Sequence, residues 1–200
     1  MQSFLIALFV LVALPGWCQA DRFFQFINKC PYDIYYWTVG PPGSNMPHED
    51  RDRVKVPAYG TNIYGMVNTV GWHGGVSLKI RDIPYYRVAP AGIMQVEYNL
   101  DPFGGSIWYD LSRINCIATS NYMDPMFCPL ISGGIKLTLR GQPPKARCPH
   151  AHCNANGCHN VYDQHGSWLG EPTFACNLNA DIVIETCVHG AGLQTFTGPP

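Results

Sequence analysis

Beyond its first 20 residues, this 200-residue sequence has no apolar run approaching the roughly 20 residues a membrane-spanning helix needs. It lacks a Gly-x-Ser-x-Gly elbow, a phosphate-cradling glycine loop and a His-Glu-x-x-His pair, so the familiar enzyme signatures fail. No Asn-x-Ser/Thr sequon occurs, and N-linked glycan is not expected. Neither sign of charge dominates: Lys and Arg total 13 against 14 Asp and Glu. The cations are scattered, whereas phosphate binding calls for clusters, so nucleic acid is not an expected partner. Helical spacing is nearly absent, because 20 Gly and 17 Pro interrupt any apolar pattern long enough for a stable helix. Cysteine is missing from residues 31–115, so that half of the chain must hold itself together by sheet packing.

What is present begins with Phe4 to Leu14, almost entirely apolar, followed by Pro15, Gly16 and Cys18-Gln19-Ala20. The run is too short to span a bilayer, and small residues at 18 and 20 suit signal peptidase, so residues 1–20 are expected to be a signal peptide cleaved after Ala20. Residues 21–200 then form one domain, long enough for a real hydrophobic core, with a net charge of -1 because the leader holds no charged residue. The expected location is outside the cell, in the medium or the cell wall, with no membrane attachment after cleavage, and a monomer is the default.

Of nine cysteines, Cys18 leaves with the leader. The eight that remain are Cys30, Cys116, Cys128, Cys148, Cys153, Cys158, Cys176 and Cys187, an even number that in an exported chain points to disulfides. Arithmetic alone does not choose among the pairings.

Short aromatic and β-branched runs separated by Gly and Pro indicate strands at Phe23–Asn28, Ile34–Val39, Thr61–Val67, Val76–Ile80, Ile93–Asn99, Ile107–Leu111, Ile135–Arg140 and Asp181–Thr186. The first two flank Cys30-Pro31-Tyr32-Asp33, which reads as a hairpin turn. Met94, Val96 and Tyr98 alternate with Gln95, Glu97 and Asn99, the period of a half-buried strand. The pattern suits an all-β sandwich of antiparallel sheets. Residues 148–176 hold four cysteines and are expected to form an irregular or briefly helical, disulfide-rich lobe of the same domain.

Several segments together resemble a known family. Phe24-Gln25-Phe26-Ile27-Asn28-Lys29-Cys30-Pro31-Tyr32, with Tyr35-Tyr36-Trp37 beyond it, is similar to the opening of thaumatin-like proteins. Gln95-Val96-Glu97-Tyr98 resembles that family's acidic strand and Trp108-Tyr109-Asp110-Leu111-Ser112 its Tyr-Asp-x-Ser segment. Thr173-Phe174-Ala175-Cys176, leading through an Ile- and Val-rich strand to Cys187, resembles its ending. The short length, the reduced cysteine set and Gly74-Gly75-Val76-Ser77-Leu78-Lys79-Ile80 look most like the small fungal branch, the antigenic or yeast-phase-specific thaumatin-like proteins. The resemblance implies a thaumatin-like β-sandwich with a disulfide-rich loop lobe, and a bridge from Cys30 to Cys187 that clips the terminal strands together.

It also implies an acidic cleft associated with β-glucan binding. Carried over residue by residue, the cleft falls on Arg81, Glu97, Asp110 and Asp163, while a further family Asp falls at Asn115 and weakens the charge. Ionised carboxylates accept strong hydrogen bonds from sugar hydroxyls and aromatic faces supply apolar area, which is all that binding needs. Hydrolysis would need two carboxyls across the scissile bond, about 5 Å apart for retention or 6.5 to 9.5 Å for inversion. The expected function is therefore non-catalytic binding of cell-surface β-glucan or a surface protein, with a weak endo-β-1,3-glucanase as the alternative, Glu97 donating the proton and Asp110 or Asp163 its carboxylate partner. No residue is assigned as catalytic. Trp72-His73-Gly74-Gly75 reads as a turn with a packed indole, and less readily as a sugar-stacking loop.

A second constellation is Cys148-Pro149-His150-Ala151-His152-Cys153, then Cys158-His159 and His165. In an oxidising compartment the sulfurs are committed to disulfides, leaving four imidazoles as ligands for copper or zinc. Surface histidines on a stapled loop are the plainer reading, so no metal and no cofactor are expected.

Overall fold

The computed structural model describes residues 22–46, 50–86, 92–117, 127–141, 148–166 and 168–195. The expected signal peptide lies outside the described residues. In chain order the strands are β1 (Phe23–Asn28), β2 (Ile34–Val39), β3 (Val54–Val56), β4 (Thr61–Gly65), β5 (Val76–Arg81), β6 (Met94–Asp101), β7 (Ser106–Ser112), β8 (Ile135–Arg140), β9 (Ala151–Asn154), β10 (Gly157–His159), β11 (Val161–Tyr162), β12 (Phe174–Asn177) and β13 (Asp181–Thr186). Helix among the described residues is confined to a 3-10 turn at Asp50–Asp52 and one α-turn, α1 (Ile114–Ile117).

These strands make two sheets. The first runs β10-β9-β8-β13-β1-β4 and the second β11-β7-β6-β5-β2-β3, with β12 also paired to β7. Most pairings are antiparallel, but β1 lies parallel to β13 and β11 parallel to β7. Period-two alternation sends one side of each sheet inward: Phe24 and Phe26 from β1, Leu137 from β8 and Ile184 from β13 meet Tyr36, Leu78, Val96 and Tyr109 from the second sheet.

The turn at 30–33 is not a hairpin. β1 and β2 enter different sheets, so their aromatic residues face each other across the sandwich, with Phe24 and Phe26 ring centroids 5.5 and 5.8 Å from Tyr36. Buried Asn28 fixes this corner. Its Nδ2 donates to the carbonyls of Tyr32 (2.8 Å), Val56 (3.2 Å) and Pro57 (2.9 Å), and its Oδ1 accepts from the Cys30 amide (2.9 Å). Such a set of buried bonds holds a crossing geometry that the local turn chemistry does not specify.

All eight described cysteines are paired: Cys30–Cys187, Cys116–Cys128, Cys148–Cys176 and Cys153–Cys158. The first joins the ends of β1 and β13, whose parallel register sets Asn28 opposite Thr186. Among the described residues of 148–176 there is no helix. They supply β9 to β12, so this cysteine-dense stretch extends both sheets, β9 and β10 at the edge of the first and β11 and β12 along β7. Two- to four-residue strands carry too little periodicity to be seen without their partners.

Candidate functional site

The outer face of the second sheet is unusually polar. With Leu78, Val96, Tyr98, Tyr109 and Leu111 turned to the core, alternation turns Ser77, Lys79 and Arg81 of β5, Gln95, Glu97 and Asn99 of β6, and Trp108, Asp110 and Ser112 of β7 to the other side. The β6–β7 hairpin sets their register. Asp101 Oδ1 accepts from the amides of Phe103 (3.1 Å) and Gly104 (2.9 Å), and Asp101 pairs with Ser106 to close the loop. Counting back from that closure puts Glu97 directly opposite Asp110, with Ser77 on the other side of Glu97.

Two carboxyls directly opposed on neighbouring strands have Cβ atoms about 5 Å apart, a costly arrangement if both are charged. Asp110 yields. Its burial first, then the charges of Glu97 and Glu171, push its carboxyl up to about 8, with Lys79 opposing. A shift of that size favours the protonated acid at neutral pH, and its Oδ1 is buried with no hydrogen-bond partner among the described residues. Lys79 is held below its ordinary value by burial, while Glu97 and Asp110 pull it the other way. It donates to Gln95 Oε1, which also accepts from Ser77 Oγ at 3.2 Å.

Glu97 and Asp110 form the floor of a groove of about 260 Å³, also lined by Gly75, Asn99, Trp108 and Thr173. Gly75 is required there by space: a Cβ would collide with the Tyr98 carbonyl. Trp108 remains 43% exposed and offers part of its indole to the groove. On the far side Tyr162 and Thr173 share a hydroxyl hydrogen bond of 2.7 Å.

The four expected cleft residues divide. Glu97 and Asp110 come together. Arg81 shares their face but stands four residues from Ser77 along β5, about 13 Å. It is 1% exposed and donates from Nη1 to the carbonyls of Tyr85 (2.9 Å) and Tyr86 (3.2 Å), bracing the segment after β5. Asp163 follows β11, exposed, with its carboxylate 3.6 Å from Arg113 Nη2, and does not line the groove. Asn115 lies on α1, also outside the lining. Glu171, Lys79 and Thr173 were not among the expected residues. Lys79 had a readable signal in its alternation with Leu78 and Ile80, whereas Glu171 sits in a loop and had none. Trp72 is half-buried against the core, and only Gly75 of its segment reaches the groove. No three His, Cys, Asp or Glu side chains among the described residues are arranged to hold a metal ion.

A two-sheet sandwich whose first and last strands are paired in parallel and clipped by the Cys30–Cys187 bridge, with a carboxyl-floored groove on one outer face, has a thaumatin-like fold. Residues 25–122, just under half of the chain, match the family described as Blastomyces yeast-phase-specific protein (Bys1). Its fold is similar to the crystal structure of the protein elicitor MoHrip2 from Magnaporthe oryzae, with a TM-score of 0.54 and 16% identity over 84% of this chain and 99% of that one. The structure of the thaumatin-like xylanase inhibitor TLXI also aligns, with a TM-score of 0.47 and 8% identity over 82% of this chain and 98% of that one. No curated protein matches the sequence.

Proposed function

We propose that this protein acts outside the cell as a non-catalytic receptor for β-glucan, bound along the groove of Glu97, Asp110 and Trp108. The observation that carries the reading is the register that sets Asp110, its buried carboxyl pushed up to about 8, directly opposite Glu97 in a groove walled by a half-exposed indole. A sugar ring offers hydroxyls that both donate and accept. A neutral acid donates to one hydroxyl and an adjacent carboxylate accepts from the next, while the indole covers the apolar face of the ring. The unpartnered Asp110 Oδ1 gains a partner when the groove fills. Four disulfides support an oxidising, extracellular setting.

Both carboxyls rise from neighbouring strands of one sheet face, so they approach a sugar from the same side. Glycoside hydrolysis sets its acid and its base or nucleophile flanking the scissile bond. That is why binding is favoured over cleavage. The raised pKa of Asp110 nevertheless favours one version of the enzymatic alternative, in which Asp110 and not Glu97 is the proton donor.

Co-sedimentation with insoluble β-1,3-glucan, scored with a reducing-sugar assay, separates the two. The expected result is retention that falls at least about tenfold in Trp108→Ala, the loss of one aromatic contact worth about 1.4 kcal/mol, with no sugar released. Release of sugar that disappears in both Glu97→Gln and Asp110→Asn makes the protein a hydrolase. Absence of both retention and release removes β-glucan as the ligand.

A further inference from the structure

The outer face of the first sheet carries a second constellation, opposite in charge to the groove and on the other side of the core. Register sets His159 opposite His152, His152 opposite Lys136, and Lys136 opposite Glu185, so one row of titratable side chains crosses β10, β9, β8 and β13. His150 precedes His152 by two residues and turns to the same face. The three imidazoles stand with ring centroids 5.5 to 6.2 Å apart. The Cys153–Cys158 bridge staples the hairpin that holds them, and Asn160 Nδ2 donates to the His150 carbonyl at 2.8 Å. His189, from the turn after β13, and Lys29, just past β1, complete a basin of about 480 Å³ with Lys136, His150, His152 and Glu185.

The charge balance of this basin selects its ligand. The single carboxylate in the lining, Glu185, is paired with Lys29 at 2.6 Å, so two lysines stand against one glutamate before any histidine is protonated. Lys136 is the cross-strand neighbour of His152 and lines the same basin, so a fixed positive charge accompanies the imidazoles and disfavours a metal cation beside them. An anion has the reverse experience. Lys136 attracts it as a point charge, and each imidazole that gains a proton adds an N–H donor and a charge. Without an anion, burial and then the neighbouring His159, His150, His189 and Lys136 hold His152 below its ordinary value.

We propose that this basin is a binding site for oxyanions, sulfate or phosphate groups carried free or on a polysaccharide, and that it tightens in acid. Bound anion and bound proton then assist each other, and by linkage the effect is reciprocal: the anion favours proton uptake by the cluster as much as protons favour the anion. The groups facing the cluster are Lys136 from β8, Glu185 from β13, Lys29 beyond β1, and His189. Only Glu185 opposes an anion, and it is already paired. The site does not depend on the glucan reading, because it occupies the opposite sheet.

The test is calorimetric titration of the full-length secreted protein with a sulfated glucan oligosaccharide, its unsulfated parent and inorganic sulfate, at about pH 5 and about pH 7.5 and constant ionic strength. The expected affinity for the sulfated oligosaccharide is at least about tenfold higher at the lower pH, with net proton uptake on binding. In His152→Gln/His159→Gln the pH dependence should flatten, and Lys136→Gln should weaken binding at both pH values. These positions are exposed or half-exposed, and near-ultraviolet circular dichroism confirms that each variant is folded. Displacement by inorganic sulfate at matched group concentration identifies a site for the free anion, and weaker displacement identifies one for the polymer. Equal affinity at the two pH values, equal binding of the unsulfated parent, or unchanged binding in the folded variants overturns the proposal.

Discussion

Replacing Asp110 by Asn should change how stability depends on pH. The native carboxyl holds its proton to about 8, chiefly because it is buried and secondarily because Glu97 stands opposite, whereas an unfolded Asp releases it near 4. Between those values the native state binds one proton more than the unfolded state, so the unfolding free energy of the wild type falls as pH rises, by about 1.4 kcal/mol per unit. The penalty is absent below the unfolded pKa and complete once pH passes the native one. Asn has no such proton. From about pH 5 to about pH 7 the wild type should therefore lose about 3 kcal/mol relative to Asp110→Asn, and the loss should level off above about pH 8. Urea unfolding followed by tryptophan fluorescence at three pH values measures the difference directly. Glu97→Gln serves as a second arm: it removes one of the charges that raise Asp110, so the wild-type fall should level off at a lower pH. Parallel stability profiles for wild type and Asp110→Asn would refute the reasoning, because they would mean that Asp110 is ionised in the folded protein and that the groove floor holds two charges.

The fold was readable where local chemistry decides and unreadable where distant partners do. The ends of β1, β2, β8 and β13 fall where aromatic and β-branched runs meet Pro, Gly or turn residues. β3 and β9 to β12 are not legible because two to four residues do not establish a period; β11 and β12 become strands only against distant β7, and the β9–β10 hairpin only where β9 docks on β8. The 30–33 turn shows the limit most clearly. Pro31 and Asp33 are ordinary hairpin residues, yet β1 leaves β2 for β13, a strand more than 150 residues away, because the Cys30–Cys187 bridge and buried Asn28 reward that pairing. Cys187, and the Val56, Pro57 and Thr186 partners of Asn28, all lie far from the turn in sequence.

The groove divides along the same line. Glu97 and Asp110 were visible as polar members of alternating strands, and a β6–β7 hairpin that pairs Asp101 with Ser106 must bring them to one face. Arg81 obeys the same alternation, yet its displacement along β5 from the Ser77–Glu97–Asp110 row takes its guanidinium to the Tyr85 and Tyr86 carbonyls. Alternation selects the face of a sheet, and only register selects the row. The histidine row makes the same point on the opposite face. His150 and His152 were a pair on paper, but Lys136, Glu185 and His189 joined them only through β8 and β13.

Two further perturbations probe the scaffold. Gly75→Ala should disturb the groove with little effect on the opposite sheet, since the added methyl meets the Tyr98 carbonyl on β6: glucan retention should fall at least several-fold while oxyanion binding is unchanged, and equal retention would show that β5 and β6 part there without cost. The disulfides should differ in what they contribute. On the chain-entropy account, the bridge between Cys30 and Cys187, 157 residues apart, restricts the unfolded chain by about 5 kcal/mol, and the Cys153–Cys158 bridge, closing a separation of 5, by about 2 kcal/mol. Replacing each pair by serine and measuring denaturant midpoints should reproduce that order. The short bridge has a second role that the entropy term omits, for it holds β9 and β10 where His152 and His159 are cross-strand neighbours. Its removal should therefore weaken oxyanion binding in acid by more than its modest effect on stability, whereas removal of the long bridge should do the reverse. If the two double variants lose stability equally and bind anions equally, loop length does not govern these bridges and the hairpin holds its histidines without a staple.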